Sequence, residues 1–116
     1  MKIKLNGHEV EFDVFDLDKM EIYYEGTDRV QELFKQPREG MTAIQQLREV
    51  STHVLQFFED CLGEDTVSEI FGEKLNVKTL YEAFGAFCST VNAELEQFGA
   101  KMKNGGLNRA QRRASK

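Results

Sequence analysis

Long apolar runs, cysteine clusters and proline are all scarce in this chain. No apolar stretch approaches the roughly 18 residues needed to span a membrane. The basic start, Met1-Lys2-Ile3-Lys4, runs into Asn6, Gly7, His8 and Glu9 rather than the greasy segment of a signal peptide. The expected location is therefore the cytoplasm. Cysteine occurs twice, at Cys61 and Cys88, too few for a disulfide framework and most simply read as two buried thiols. Proline occurs once, at Pro37, and with Gly40 it marks a loop.

The usual signatures of chemistry are missing as well. Neither CxxC nor HxxxH occurs, and the two histidines, His8 and His53, lie far apart in sequence. A structural zinc site normally shows a tighter ligand cluster. There is no GxSxG, P-loop or GxGxxG, and no motif flanks either cysteine to suggest a thiol nucleophile. The many carboxylates, such as Glu59-Asp60 and Glu64-Asp65, sit at expected helix ends or on solvent faces. No cofactor, metal or catalytic residue is expected, and the chain does not read as an enzyme.

Acid is also missing from one end. All twenty Asp and Glu residues lie between Glu9 and Glu96. Residues 1–100 carry nine bases against those acids, a net charge of −11, while residues 101–116 carry six bases and no acid. An acidic body with a basic tail points to attachment rather than reaction. The tail has no aromatic residue for base stacking, and the acidic body would repel a polyanion, so nucleic acid is an unfavoured partner.

What is present is strong local patterning. Asn6-Gly7 is a two-residue hairpin signal, since both positions must adopt positive φ in a type I′ turn. It predicts a hairpin within residues 1–15 that pairs Leu5 with His8, Lys4 with Glu9, Ile3 with Val10 and Lys2 with Glu11. That register places Ile3, Leu5, Val10, Phe12 and Val14 on one face and the opposite charges on the other. Helical spacing then predicts a helix over 17–35, capped by Asp16 or Asp18, either continuous or hinged near Glu25-Gly26.

A second helix is expected over 41–62, with Ile44, Leu47, Val54, Phe58 and Cys61 on one face and Gly63 as its stop. Its apolar face is wide enough to suggest a central position. A short helix over 64–71 ends at Gly72. Asn76 then caps a long helix over 77–101, whose stripe includes Val77, Tyr81, Phe84, Phe87, Cys88, Val91, Leu95 and Phe98. Gly85 and Ala86 beside that stripe would admit another helix. Asn104-Gly105-Gly106 separates a domain over residues 1–103 from a flexible basic tail over 104–116. The fold class is α+β, mainly α: an N-terminal β-hairpin packed on three long helices and a short one.

This layout resembles a known family. A chain of this length opens with an Asn-Gly hairpin, continues as FDVFDLDKMEIYYEGTDRVQEL and closes in the basic segment NRAQRRASK. It is similar in organisation to the tail assembly chaperones of long-tailed bacteriophages and prophages. The resemblance implies a non-catalytic protein of the bacterial host cytoplasm that binds the helical tape-measure protein. It would keep that client soluble while tail-tube protein polymerises around it, and leave before the virion is complete. It also implies that a frameshift-extended form recruits tail-tube protein. Two rivals stand beside it: a minor structural protein retained in the particle, and a small nucleic-acid-associated protein.

An apolar groove within a charged body suits a helical client. The residues expected to contribute are Tyr23 and Tyr24, the stripe residues Tyr81, Phe84, Phe87, Val91, Leu95 and Phe98, and the tail bases Arg109, Arg112 and Arg113. The tail could equally dock on a neighbouring copy, so self-association is a further expectation.

Overall fold

The computed structural model describes residues 1–35 and 39–102. Two strands and four helices follow one another: β1 (Lys2–Leu5), β2 (His8–Glu11), α1 (Leu17–Lys35), α2 (Ala43–Leu62), α3 (Glu64–Phe71) and α4 (Val77–Lys101). This is the expected α+β, mainly helical class. The tail over 104–116, with Arg109, Arg112 and Arg113, lies outside the described residues, as does Pro37.

The hairpin forms in the expected register, with Lys2 opposite Glu11, Ile3 opposite Val10, Lys4 opposite Glu9 and Leu5 opposite His8. Asn6 and Gly7 both take positive φ, 49° and 78°, as a type I′ turn demands. The expected apolar face is buried in full: Ile3, Leu5, Val10, Phe12 and Val14. Charge pairing differs in detail. Lys2 Nζ meets Glu9 diagonally at 3.6 Å rather than Glu11 directly across. Strand twist brings diagonal neighbours within reach of a long side chain. Both groups are exposed, so the pair adds little stability. The turn is anchored from below, where the Asn6 side-chain amide donates to the Ile70 carbonyl at 2.8 Å.

Three of the four helices, α1, α2 and α4, begin where a side chain satisfies free N–H groups. Asp16 Oδ1 accepts from the backbone N–H groups of Asp18 and Lys19, which settles the choice between Asp16 and Asp18 as the cap of α1. Thr42 caps α2 in a reciprocal box: its hydroxyl accepts from Gln45 N–H, and the Gln45 side chain accepts from Thr42 N–H. That box starts α2 two residues later than the 41–62 expected from periodicity. Asn76 Oδ1 accepts from Thr79 N–H and starts α4. Gly63 closes α2, donating to Glu59 O at 2.8 Å, and opens α3 in the same step.

The helix α1 is continuous, so the alternative hinge at Gly26 does not occur. Gly26 has a packing role instead. A Cβ at this position would fall on the Phe57 ring of α2. The close approach seats Phe57 against the α1 backbone.

The central expectation for α2 holds, because it contacts α1, α3 and α4, while β1 rests on α4. Most of the core is aromatic at its centre. Phe87 is fully buried and lies 5.1 Å from Phe12, 5.7 Å from Phe57 and 5.5 Å from Phe58, ring centroid to centroid. These tilted and edge-on contacts join hairpin, α2 and α4 in one cluster, each worth about 0.5–1.5 kcal/mol beyond burial. Gly85 and Ala86 are exposed, and nothing lies within 4 Å of a Cβ built on Gly85. The close helix expected there is not present among the described residues.

Candidate functional site

The α4 stripe does not form one groove. Its middle is spent on the core, and only its ends and one flank reach the surface. Phe87 and Val91 are fully buried, and Tyr23 nearly so. These three expected contact residues are therefore structural. The Tyr23 hydroxyl donates to Asn92 Oδ1 at 2.7 Å and lies 3.3 Å from the Cys88 carbonyl, tying α1 to α4. Burial raises its pKa above that of a free tyrosine, with Cys88 adding to the effect. A hydroxyl held in this way braces the helix pair, and Tyr23 contributes little surface to the cleft it lines.

The remaining residues fall into three places. Tyr24 is exposed and Phe84 half-buried on a shallow cleft of about 350 Å³ between α1 and α4, which Thr27, Asp28 and Gln31 also line. Tyr81 is half-buried farther along α4. Its ring packs at a tilt against exposed Phe34, centroids 5.9 Å apart, and its hydroxyl lies 3.4 Å from Ser51 Oγ. Leu95 is half-buried and Phe98 exposed near the C-terminal end of α4, where the Phe98 ring packs on Phe15 at 5.1 Å.

A more apolar depression lies where the periodicity suggested core. Ile44, Leu47, Leu75 and Val77 line a groove of about 520 Å³, with Arg48, Ser51 and Thr52. Ile44 is 63% exposed, and Leu47, Leu75 and Val77 also show substantial surface. The sequence reading placed Ile44 and Leu47 on the buried stripe of α2 together with Val54, Phe58 and Cys61. Only the last three are buried. The difference arises because α3 packs on the C-terminal half of α2, where Phe71 meets Phe58, and leaves its first turns largely exposed.

Leu75 was not anticipated at all. One sequence signal was available: Ser51 interrupts the α2 stripe between Leu47 and Val54. A small polar residue there ends the continuous apolar face and leaves space beside it. Tyr81 adjoins this groove through Ser51, so one expected contact residue lies beside the apolar surface.

Neither thiol is set up as a nucleophile. Burial pushes Cys61 up to about 12, opposed by Lys19, and pushes Cys88 up to about 11. A reactive cysteine needs the opposite shift. Cys61 is buried as expected, whereas Cys88 is only half-buried. Among the described residues, no group of three or more His, Cys, Asp or Glu is placed to hold a metal ion. No helix among them is long and apolar enough to cross a membrane.

The chain belongs to a family of unknown function, DUF6673, which matches residues 6–116. No curated protein and no solved structure matches it.

Proposed function

We propose that this DUF6673 member is a non-catalytic tail assembly chaperone of a bacteriophage or prophage. In this reading it holds a helical segment of the tape-measure protein in the host cytoplasm until tail-tube protein takes over. The observation that carries it is the bare apolar groove of Ile44, Leu47, Leu75 and Val77 on a body of strongly negative charge. An amphipathic helix presents apolar side chains at i, i+3 or i+4, and i+7, and a groove of this kind accepts such a row. The surrounding charge keeps the complex soluble, and a contact this small releases readily. The resemblance in hairpin, α1 sequence and basic terminus supports the same assignment.

Co-expression tests it. A tape-measure fragment that is insoluble alone should become soluble with this chain and return to the pellet with the Ile44→Asp/Leu47→Asp variant. A fragment that stays insoluble with the wild-type chain rejects the reading. Retention of the chain in purified virions would favour a minor structural role instead. Salt separates the nucleic-acid rival, since phosphate binding through the basic tail should weaken steeply with salt while groove binding should not.

A further inference from the structure

Independently of the client, we propose that the C-terminal end of α4 pairs antiparallel with the same segment of a second copy, giving a two-fold dimer. The stripe on α4 advances in alternating steps of four and three through Val91, Leu95, Phe98 and Met102. That is the spacing of a helix–helix seam. The body covers this seam as far as Val91, which is fully buried. Beyond it the cover thins: Leu95 is half-buried, while Phe98 is 46% and Met102 44% exposed. Phe15 supports Phe98 from one side and is itself exposed. The stripe thus outlasts the domain that buries it.

A second copy fits because the segment is self-complementary. In an antiparallel seam, Leu95 meets Phe98 of the second copy, and the two-fold axis repeats the contact. The same register places Glu94, flanking the seam, beside Lys101 of the second copy, and again this occurs twice. Lys101 is exposed and Glu94 half-buried. A parallel seam would set Glu94 against Gly99 and form no such pair. Gly99 lies on the opposite flank with nothing within 4 Å of a Cβ built there, so a neighbouring backbone has room. With only Leu95, Phe98 and Met102 as apolar seam residues beyond Val91, the expected dissociation constant is about 10 µM to 1 mM.

Sedimentation of the full chain from about 1 µM to about 1 mM spans that range. The expected result is a reversible monomer–dimer equilibrium. Phe98→Asp should abolish it, Glu94→Lys should weaken it about tenfold, and Glu94→Lys/Lys101→Glu should restore it. Circular dichroism of each variant checks the fold, and the charge swap decides the matter if Phe98→Asp does not fold. Any of four results overturns the proposal. One is a chain that stays monomeric throughout. Another is a double swap no tighter than the single. A third is a dimer that ignores Phe98→Asp and responds to Ile44→Asp, which would move the contact to the α2 groove. Loss of tape-measure solubilisation by Phe98→Asp without any dimer to lose would assign the patch to the client and reject a second copy.

Discussion

The ring of Phe57 occupies the space that a Cβ on Gly26 would need. Two neighbouring turns, one on α1 and one on α2, are thereby locked at a fixed approach. Phe57 carries the constraint onward to Tyr23, Phe84 and Phe87, whose rings all lie within 6.0 Å of it.

Gly26→Ala should therefore reverse the usual rule. In an ordinary helix interior the change stabilises by about 1 kcal/mol. Here it should destabilise by about 1–3 kcal/mol, because the added methyl must displace a packed ring. Denaturant unfolding of Gly26→Ala, Phe57→Leu and the double variant measures this. A smaller side chain at 57 should relieve part of the Gly26→Ala penalty, so the two effects should not add.

Phe87→Ala and Ile44→Asp should behave as opposites, although the sequence places both on apolar stripes. Removing the fully buried Phe87 ring should lower stability by about 3–5 kcal/mol. Ile44→Asp, at an exposed position, should stay within about 0.5 kcal/mol of wild type while losing client binding. Thermal melts and the co-expression assay distinguish the two.

Tyr23→Phe should cost about 0.5–1.5 kcal/mol through the lost bond to Asn92, with no change in fold. Asn92→Ala should show a similar loss, and the double variant should be little worse than either single change. Equilibrium unfolding of the three variants checks it.

Stability should fall on the alkaline side. Unfolded thiols ionise near about 8.5, whereas burial holds Cys61 protonated to about 12 and Cys88 to about 11. Between those values the folded state binds more protons than the unfolded state, so the unfolding free energy drops as pH rises. The contribution is complete below the ordinary thiol pKa and is lost as pH climbs through the folded values. The raised Tyr23 hydroxyl acts in the same direction. Under reducing conditions, urea unfolding of wild type and Cys61→Ala at about pH 7 and about pH 10 should show a smaller alkaline loss in the variant.

Much of this fold was legible without coordinates because its instructions are short-range. Asn6-Gly7 sets the hairpin register within four residues. The stops at Gly63 and Gly72 and the start at Asn76 rest on hydrogen bonds spanning three or four positions. Thr42 escaped notice because its partner, Gln45, reads as an ordinary helical residue until both bonds of the box are seen.

The candidate site was far less legible. Tyr23, Phe87 and Val91 share the stripe chemistry of Tyr81, Leu95 and Phe98, yet the first three fill the core and the rest reach surface in part or in full. Periodicity reports which side of a helix is apolar. It does not report how far along the axis a neighbour extends.

The chain itself therefore determined the order, ends and faces of its elements, since turns, caps and alternation act between residues close in sequence. Only the tertiary structure decided which apolar residues are covered. Packing of α1, α3 and α4 on α2, and of β1 on α4, buries the second half of α2 and the middle of α4 and leaves Ile44 at one end and Phe98 at another in water. Burial depends on contacts between distant segments, and a single helix's pattern carries no measure of its neighbours' length. Gly26 makes the same point from within the core: a weak helix former by local rule, it is required because Phe57 arrives from another helix.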